Sequence, residues 1–159
     1  MAAVKTNVMR VLEQHKITYA AHEYEHGKEA VDGASVAKML GQDPAHVFKT
    51  LVAHGKSGGF HVFVIPVEKE LDLKKAAKAA GEKAVELVHV KELLSLTGYV
   101  RGGCSPVGMK KTFPTVFDES VNTIPTVMVS AGKIGYQIEC SPADLVALVR
   151  ASTAPITMD

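Results

Sequence analysis

The sequence predicts an α/β fold of the α+β type, in which a mixed, mainly antiparallel sheet closes toward a barrel and helices pack outside it. Three observations predict this class. Strand-like apolar segments alternate with segments of helical periodicity, hairpins outnumber possible crossovers, and the order is helix, strand, helix, strands, helices, strands, helix. The chain has 159 residues, and 47% of them are hydrophobic. A chain of this size can bury a core without a disulfide or a metal.

The N-terminal half contains two helices, a strand and a hairpin. Apolar spacing predicts an amphipathic helix over 4–14, and alternation predicts a strand over 17–24. Helical spacing returns over 33–41, and the glycine that ends this segment suits a C-terminal cap. Two apolar runs, 47–54 and 60–67, flank a short Gly/Ser loop. Such a pattern predicts a β-hairpin.

The C-terminal half begins with a helix over 71–80, which Asp72 caps and Gly81 stops. A short helix over 90–96 and an irregular segment over 98–108 are predicted next. Three strands follow, over 113–117, 124–130 and 134–139, and the last helix covers Pro142–Arg150. Neither an internal repeat nor a linker interrupts this order. We therefore expect a single domain over 1–151 and a frayed tail over 152–159.

The composition argues against several classes of protein. A formal net charge of +1 is low for a DNA-binding protein or for any domain whose whole surface binds nucleic acid. The lysine clusters at 74–78 and 110–111 are most simply solvated surface. Neither a signal peptide nor a run of about 18 apolar residues is present, which argues against secretion and a membrane association. The two cysteines lack metal-ligand spacing, so we expect a reducing cytoplasm.

One short motif imitates a zinc site. Residues 22–26 match the H-x-x-E-H pattern of inverted zinc proteases, which needs a helix so that two histidines converge on one ion. Here the motif ends an alternating run and a glycine follows at once. Residues four apart on a strand lie about 13 Å from each other, too far to bind one zinc. We therefore predict no metal site.

A glycine-rich segment over 98–108 is the strongest local signal of function. It has four glycines and a proline in eleven residues, which is costly in backbone entropy. Such a loop can direct its N–H groups to one point and form an oxyanion hole for acyl transfer. It can equally be an ordinary tight connection. Composition alone leaves both interpretations open.

Lys49 is the second candidate, because it interrupts an apolar stretch. Alternation places it on the same side as Val47 and Leu51 and opposite Phe48. A lysine on an apolar strand face either extends its ammonium to solvent or lines a pocket. The spacing does not decide between the two.

Several sequence blocks together resemble one family. The blocks are Phe48–Leu51, Leu71–Lys75, Gly98-Tyr99, Gly102–Gly108 and Ser130–Lys133. In this order, and over nearly the whole chain from about Val4 to Val149, they are similar to the YbaK/EbsC family, in the superfamily of the inserted editing domain of bacterial prolyl-tRNA synthetase. Several blocks in the right order are far more specific than any one of them.

The resemblance implies a hydrolase that removes cysteine from Cys-tRNA(Pro) and Cys-tRNA(Cys), a trans-editing step in translation. A hydrophobic pocket distinguishes poorly between amino acids of similar size, so a second hydrolytic site is the remedy. The implied mechanism uses the cysteinyl thiol of the substrate as the nucleophile, with no cofactor. Partners implied by the resemblance are the acceptor end of aminoacyl-tRNA and prolyl-tRNA synthetase.

The resemblance also assigns residues to the site. Lys49 is expected to hold the phosphate or ribose of the terminal adenosine as a point charge. The family's G-x-x-x-P loop falls on Gly102, Gly103, Cys104, Ser105 and Pro106, whose N–H groups would stabilise the oxyanion. Further positions that match the surroundings of the pocket are Tyr24, Thr50, Ser130 and Gly132. For these, packing remains an alternative to a role in binding.

Two residues depart from the family pattern. Gln137 stands where members commonly carry an acidic residue, and a neutral amide cannot act as a carboxylate base. Cys104 stands where the loop is often aliphatic. Its thiol is either a small apolar filler or, if the loop lowers its pKa, a nucleophile.

Two alternatives to Cys-tRNA deacylation remain. The first is a deacylase for another mischarged species, such as Ala-tRNA(Pro). The second is a non-catalytic module that binds the acceptor end of tRNA or docks on a synthetase, and the departures at Gln137 and Cys104 are its only support.

Overall fold

The computed structural model describes residues 4–25 and 32–159. Within these ranges the helices are α1 (Asn7–Gln14), α2 (Gly33–Met39), α3 (Leu73–Ala80), α4 (Val90–Thr97) and α5 (Pro142–Leu148). The strands are β1 (Tyr19–Glu23), β2 (Phe48–Gly55), β3 (Phe60–Pro66), β4 (Val85–Leu87), β5 (Thr115–Asp118), β6 (Val127–Ser130), β7 (Tyr136–Cys140) and β8 (Ser152–Ala154). Short 3-10 helices cover Pro44–His46 and Glu119–Thr123.

The described strands form two sheets, ordered β1-β7-β6 and β4-β2-β3-β5-β8. All pairs are antiparallel except β3–β5 and β5–β8, which are parallel. The predicted mixed, mainly antiparallel architecture is therefore confirmed. The sheets do not close into a barrel. An isolated parallel bridge between Val47 and Met128 joins them.

The hairpin β2–β3 lies at the centre of the molecule and is buried on both faces. Side chains on a strand alternate between faces. Accordingly, Val52 and Val64 belong to the core shared with α1, α5 and the smaller sheet. Phe63 and Ile65 pack on the other side, with α3. Burial of each such side chain stabilises the fold by about 1.5–3 kcal/mol.

The predicted helix signals act as expected. The Asp72 carboxylate accepts hydrogen bonds from the N–H groups of Lys74 and Lys75 at 2.9 and 3.0 Å. Gly81 ends α3 with φ of 72°, in the left-handed region that favours glycine. Ser141 caps α5, where Pro142 occupies the first turn. Among the described helices, none has the length and apolarity needed to cross a membrane.

The prediction of a frayed tail over 152–159 is wrong. Residues Ser152–Ala154 form β8, which adds in parallel to β5 at the edge of the larger sheet. Ile156 is fully buried in the core beside α3. The ammonium of Lys75 donates to the carbonyl of Thr157 at 3.0 Å, so one lysine of the 74–78 cluster anchors this segment. A short polar strand held by one buried residue gives no periodic signal in the sequence.

Candidate active site

A cavity of about 90 Å³ opens beside the bridge that joins the two sheets, and residues of both sheets line it. Strand β4 pairs with β2 only at Ala53–Gly55, which leaves the first residues of β2 facing the smaller sheet. Strands β2 and β6 run parallel at the bridge between Val47 and Met128, so Lys49 and Ser130 each follow it by two residues. The topology thus brings the start of β2 beside the end of β6.

The cavity wall contains seven of the residues predicted from sequence. They are Tyr24, Lys49, Thr50, Gly102, Cys104, Ser130 and Gln137. These residues come from five separate parts of the chain. Strand pairing explains why two of them are neighbours, because Ser130 on β6 pairs with Gln137 on β7. The structure therefore brings Lys49 and the glycine-rich loop to one cavity.

Lys49 carries the one full charge among the described residues of the wall. Within the described part of the chain, its ammonium forms neither an ion pair nor a hydrogen bond. A partly buried cation without a counter-ion attracts an anionic ligand. Of the two alternatives that the sequence left open, lining a pocket describes this side chain better than simple extension into solvent.

Two further wall residues have buried oxygen atoms that lack partners. Thr50 Oγ1 and Gln137 Oε1 are inaccessible to solvent, and neither has a hydrogen-bond partner among the described residues. Gln137 as a whole is only 7% exposed. Leaving such an atom unsatisfied costs about 1–3 kcal/mol. The two oxygens thus lie behind the surface of the cavity wall, and both residues line the cavity through other atoms.

The glycine-rich loop contributes Gly102 and Cys104 to the wall. Gly102 has φ of +85°, which a residue with a side chain adopts only with strain. Among the described residues, none accepts a hydrogen bond from the N–H of Gly102 or Cys104. Backbone donors of this kind can stabilise an oxyanion.

Tyr99 holds this loop in place. Its hydroxyl donates to the carbonyl oxygen of Val107, and burial raises the pKa of the phenol to about 12. Gly108 and Gly132 both have positive φ and pack against the Tyr99 side chain. A Cβ at either position would lie 3.0 Å from an atom of that side chain. Both glycines are therefore needed for close packing.

Four predicted residues lie outside the described wall of the cavity. Gly103 packs against the β6–β7 turn, where a Cβ would lie 3.1 Å from the Ile134 nitrogen. Ser105 is fully buried and accepts a hydrogen bond from the Val107 N–H at 3.3 Å. The other two are Pro106, which lines a different cavity, and Gly132, which packs on Tyr99. These residues shape the loop rather than line its cavity.

Cys104 is a buried filler. Burial raises the pKa of its thiol to about 12, and a hydrogen bond with Thr97 offsets only part of this effect. This direction favours the filler interpretation of Cys104 over the nucleophile interpretation. Cys140 is also a buried free thiol, so the described structure contains no disulfide between them.

The apolar half of the wall was not predicted from the sequence. These residues are Gly33, Val36, Val47, Phe48 and Val67. Val47 and Phe48 directly precede Lys49 in the predicted strand, so their position beside the candidate lysine could have indicated that they line the same cavity. Gly33 had no signal, because its role depends on a distant contact: a Cβ there would lie 2.4 Å from Val67 Cγ1.

The zinc motif does not form a site in the described structure. His22 lies on β1, as predicted, and its Nε2 is 2.9 Å from Glu139 Oε1. His26 lies outside the described residues. No group of three or more His, Cys, Asp or Glu side chains that could hold a metal occurs in the part of the chain that the structure describes.

A larger cavity of about 420 Å³ lies between the C-terminal ends of α1 and α5, and Pro106 lines it. Its basic residues are His15, Lys111 and Arg150. Arg150 stands just after the end of α5, where a cation offsets the negative end of the helix dipole.

Comparison with known proteins identifies the family of this chain. The family described as aminoacyl-tRNA editing domain matches residues 28–148. EbsC of Enterococcus faecalis, named as a candidate Cys-tRNA(Pro)/Cys-tRNA(Cys) deacylase, is 48% identical over 153 residues, which cover 96% of this chain and 93% of that protein. A proline–tRNA ligase of Trichlorobacter lovleyi is 27% identical over 100 residues, or 63% of this chain and 17% of the ligase.

A solved structure described as a candidate trans-editing enzyme for prolyl-tRNA synthetase has the same fold. Its TM-score is 0.81 at 25% identity, and the match covers 96% of this chain and 95% of that one. Family match, relative and structure agree over nearly the whole length. The chain belongs to the aminoacyl-tRNA editing domain family.

Proposed function

We propose that this protein is a trans-editing hydrolase that removes cysteine from Cys-tRNA(Pro) and Cys-tRNA(Cys). The observation that carries the proposal is the cavity that Lys49, whose ammonium has no partner among the described residues, and the Gly102 loop both line. The 48% identity to EbsC over most of both chains supports the choice of substrate. The reaction belongs in the cytoplasm, where tRNA is charged.

The dimensions of the cavity suit the aminoacyl end of such a substrate. The cavity, with a volume of about 90 Å³, is on the scale of a small aminoacyl group, and it opens to solvent on one side. The cysteinyl group would enter the cavity. Lys49 would bind the phosphate or ribose of the terminal adenosine at the entrance.

The reaction needs no nucleophile from the protein. The substrate sulfur attacks its own ester carbonyl, the bond to the 3′ oxygen of the tRNA breaks, and the thiol proton passes to that oxygen. Water then opens the cyclic thioester to give free cysteine. A nucleophile held next to its target can have an effective molarity of about 10⁵ M or more. The neutral thiol of Cys104 is consistent with this route, because the protein then contributes binding and oxyanion stabilisation.

A deacylation time course with Cys-, Ser- and Ala-tRNA(Pro) tests the proposal. We expect the cysteinyl ester to react at least ~10²-fold faster than the other two, because only its side chain is a thiol. Comparable rates for all three would show that an activated water is the nucleophile and that the substrate range includes alanine. Binding of charged tRNA without any shortening of its lifetime would instead identify a non-catalytic module.

Prolyl-tRNA synthetase is the partner we propose for tRNA selection. The chain resembles a segment of a proline–tRNA ligase, and the described wall of its cavity offers one cation for RNA. If the protein itself binds tRNA weakly, a synthetase that already holds the tRNA would bring the substrate to it. Addition of prolyl-tRNA synthetase should then lower the KM for Cys-tRNA(Pro) and leave kcat unchanged.

A further inference from the structure

The cavity of about 420 Å³ between the ends of α1 and α5, which we call the α1–α5 cavity, has no role in the proposed function. Its volume falls within the range of small-molecule sites, about 300–1,000 Å³. The described wall contains three basic residues, His15, Lys111 and Arg150, and neither an aspartate nor a glutamate. A cleft lined by one sign of charge concentrates ligands of the opposite sign. The α1–α5 cavity therefore favours an anionic small molecule.

The two permanent cations of this wall have no counter-ion. In the part of the chain that the structure describes, the side chains of Lys111 and Arg150 form neither an ion pair nor a hydrogen bond. The carboxylate nearest to His15 in the sequence belongs to Glu13, and it accepts a hydrogen bond from the Lys5 ammonium at 2.9 Å instead. Both cations are thus available to an anion from solution.

The remainder of the wall is mainly apolar. Its side chains are Val11, Val107, Met109, Phe113, Leu148 and Val149. The Phe113 ring is half-buried and lies against Phe60, with ring centroids 5.8 Å apart and an angle of 59° between the planes. A fixed aromatic ring on a cavity wall is a surface on which a nucleobase can stack. The ligand that fits this wall has an apolar or aromatic part as well as a negative charge.

We propose that the α1–α5 cavity binds a nucleoside 5′-monophosphate, with the phosphate at Lys111 and Arg150 and the base on the apolar wall beside Phe113. A phosphomonoester carries about two negative charges at neutral pH, which matches two cations better than a carboxylate does. The guanidinium of an arginine can donate two parallel hydrogen bonds to one phosphate. The proposal does not depend on the deacylase function.

The wall of the α1–α5 cavity is held in place before a ligand binds. Val107 is 1% exposed, its N–H donates to Ser105 Oγ at 3.3 Å, and its carbonyl accepts from the Tyr99 hydroxyl. Arg150 has φ of 55°, and its N–H donates to the carbonyl of Ala147 at 3.2 Å. This left-handed conformation favours glycine, so the arginine side chain is not needed to end α5. A preformed wall spares a ligand the cost of ordering it.

Calorimetric titrations with AMP, adenosine and inorganic phosphate test the proposal. We expect AMP to bind at least ~10-fold more tightly than adenosine or phosphate, because only AMP contacts both the cations and the apolar wall. The absence of saturable AMP binding below about 1 mM would overturn the proposal. Equal affinities for AMP and phosphate would overturn it as well, since they would show an anion site without a place for the nucleoside.

The candidate active site must be separated from the α1–α5 cavity, because the terminal adenosine of the proposed substrate resembles AMP. The same titration with Lys49→Ala makes this separation, since Lys49 lines the other cavity. Retention of AMP binding by Lys49→Ala supports the proposal. Loss of AMP binding in that variant would place the nucleotide in the candidate active site and overturn it.

Two glycine substitutions provide a matched pair. Arg150→Gly should weaken AMP binding by about 10-fold or more and should not lower the melting temperature, because glycine suits this conformation. Lys16→Gly is the control: Lys16 is an exposed cation after the end of α1, has φ of 58°, and lies outside the described wall. Equal losses of affinity in the two variants would show an effect of net charge alone and overturn the proposal. If Arg150→Gly does not fold, Lys111→Ala against Lys110→Ala makes the same comparison.

The 5′ end of an RNA carries the same nucleoside monophosphate, so a competition experiment separates the two sources. AMP-loaded Lys49→Ala protein is titrated with uncharged tRNA that has a 5′ phosphate, and with the same tRNA after that phosphate is removed. Displacement of AMP that requires the 5′ phosphate would identify an RNA end as the ligand. The same result with both tRNAs would identify the free nucleotide. Either outcome keeps the site in the α1–α5 cavity, provided that Arg150→Gly weakens AMP binding.

Discussion

Two groups of polar side chains in this protein differ in one respect, which is whether their hydrogen bonds are complete within the described structure. At the far end of the β2–β3 hairpin, the Glu82 carboxylate accepts hydrogen bonds from the Ser57 hydroxyl and the Ser57 N–H at 2.6 and 3.1 Å, and it lies 2.7 Å from His61 Nε2. In the cavity, Thr50 and Gln137 have oxygens without a partner in the described structure. The complete group stabilises the fold, whereas each unpaired oxygen in the incomplete group costs about 1–3 kcal/mol.

The packing around Glu82 shows that this group has a structural role. Its carboxylate lies against Gly55, where a Cβ would be 2.2 Å from Glu82 Oε2. The carboxylate thereby joins the turn after β2 to the segment between α3 and β4. Hydrogen bonds from Ser57 and His61 lower the pKa of Glu82 to about 2. Both oxygens of the Glu82 carboxylate have hydrogen-bond partners within the protein, so neither is left without a partner for a ligand to bind.

The largest effect should come from removing the free cation of the cavity. Lys49→Ala should lower kcat/KM for Cys-tRNA(Pro) by about 100-fold or more, because it removes a charge that binds the substrate and has no partner in the described protein. The melting temperature should not fall. Lys78→Ala, an exposed lysine on α3, is the matched control and should keep full activity. A folded Lys49→Ala protein with wild-type kinetics would disprove this account of the site.

Gly102 should be the next most sensitive position. Gly102→Ala forces a side chain onto φ of +85° and should shift the N–H groups of the loop, which we expect to lower kcat by about 10-fold. Gly58→Ala is a control for backbone strain alone, since Gly58 has φ of +104° and a Cβ added there would meet nothing within 4 Å. Both variants should lose about 1 kcal/mol of stability. Equal activities of the two variants would argue against a role of the loop in catalysis.

Glu82→Gln should change stability in acid and leave catalysis unchanged. The pKa of Glu82 in the folded protein is about 2, below its ordinary value of 4.5. Its stabilising contribution is therefore complete above about pH 4.5 and is lost as the pH falls toward 2. Urea unfolding between pH 2 and 7 should show a shallower acid dependence in Glu82→Gln than in the wild type. Glu86→Gln, on the exposed edge strand β4, controls for loss of one negative charge, and an acid dependence of Glu82→Gln identical to the wild type would refute the assignment.

The smallest effect concerns salt. With a net charge of +1 and one cation in the described wall, tRNA binding should show a log–log salt slope of about −1 to −2. Fluorescence anisotropy with labelled tRNA over 50–200 mM salt measures this slope. A slope several times steeper would show that the lysine clusters, and not the cavity, dominate RNA binding.

The parts of the fold that sequence could predict are those set by local interactions. Asp72, Gly81 and Ser141 act at the helix ends as their types predict, and the β2–β3 hairpin follows from its two apolar runs. Strands β4 and β8 were missed. Each has three residues, and each is held by pairing with a strand far away in the sequence.

The resemblance named residues that line the cavity, but it did not show which residues of a motif reach it. Lys49, Thr50 and Gln137 lie on the wall. Ser105 was expected at the site as part of the G-x-x-x-P loop, yet its hydroxyl holds Val107 inside that loop. A motif records which residues are required but not whether they touch the substrate. Gly33 was missed because only the tertiary contact with Val67 explains it.

The most direct test of the central claim is a titration of the ¹⁵N-labelled protein with a non-hydrolysable 3′-amide analogue of cysteinyl-adenosine. We predict chemical-shift changes at the amides of Thr50, Gly102 and Cys104 and at the side-chain amide of Gln137, and no change at Ser57 or Glu82. Changes confined to other surfaces, or an unperturbed Gln137 side chain at saturation, would contradict the account.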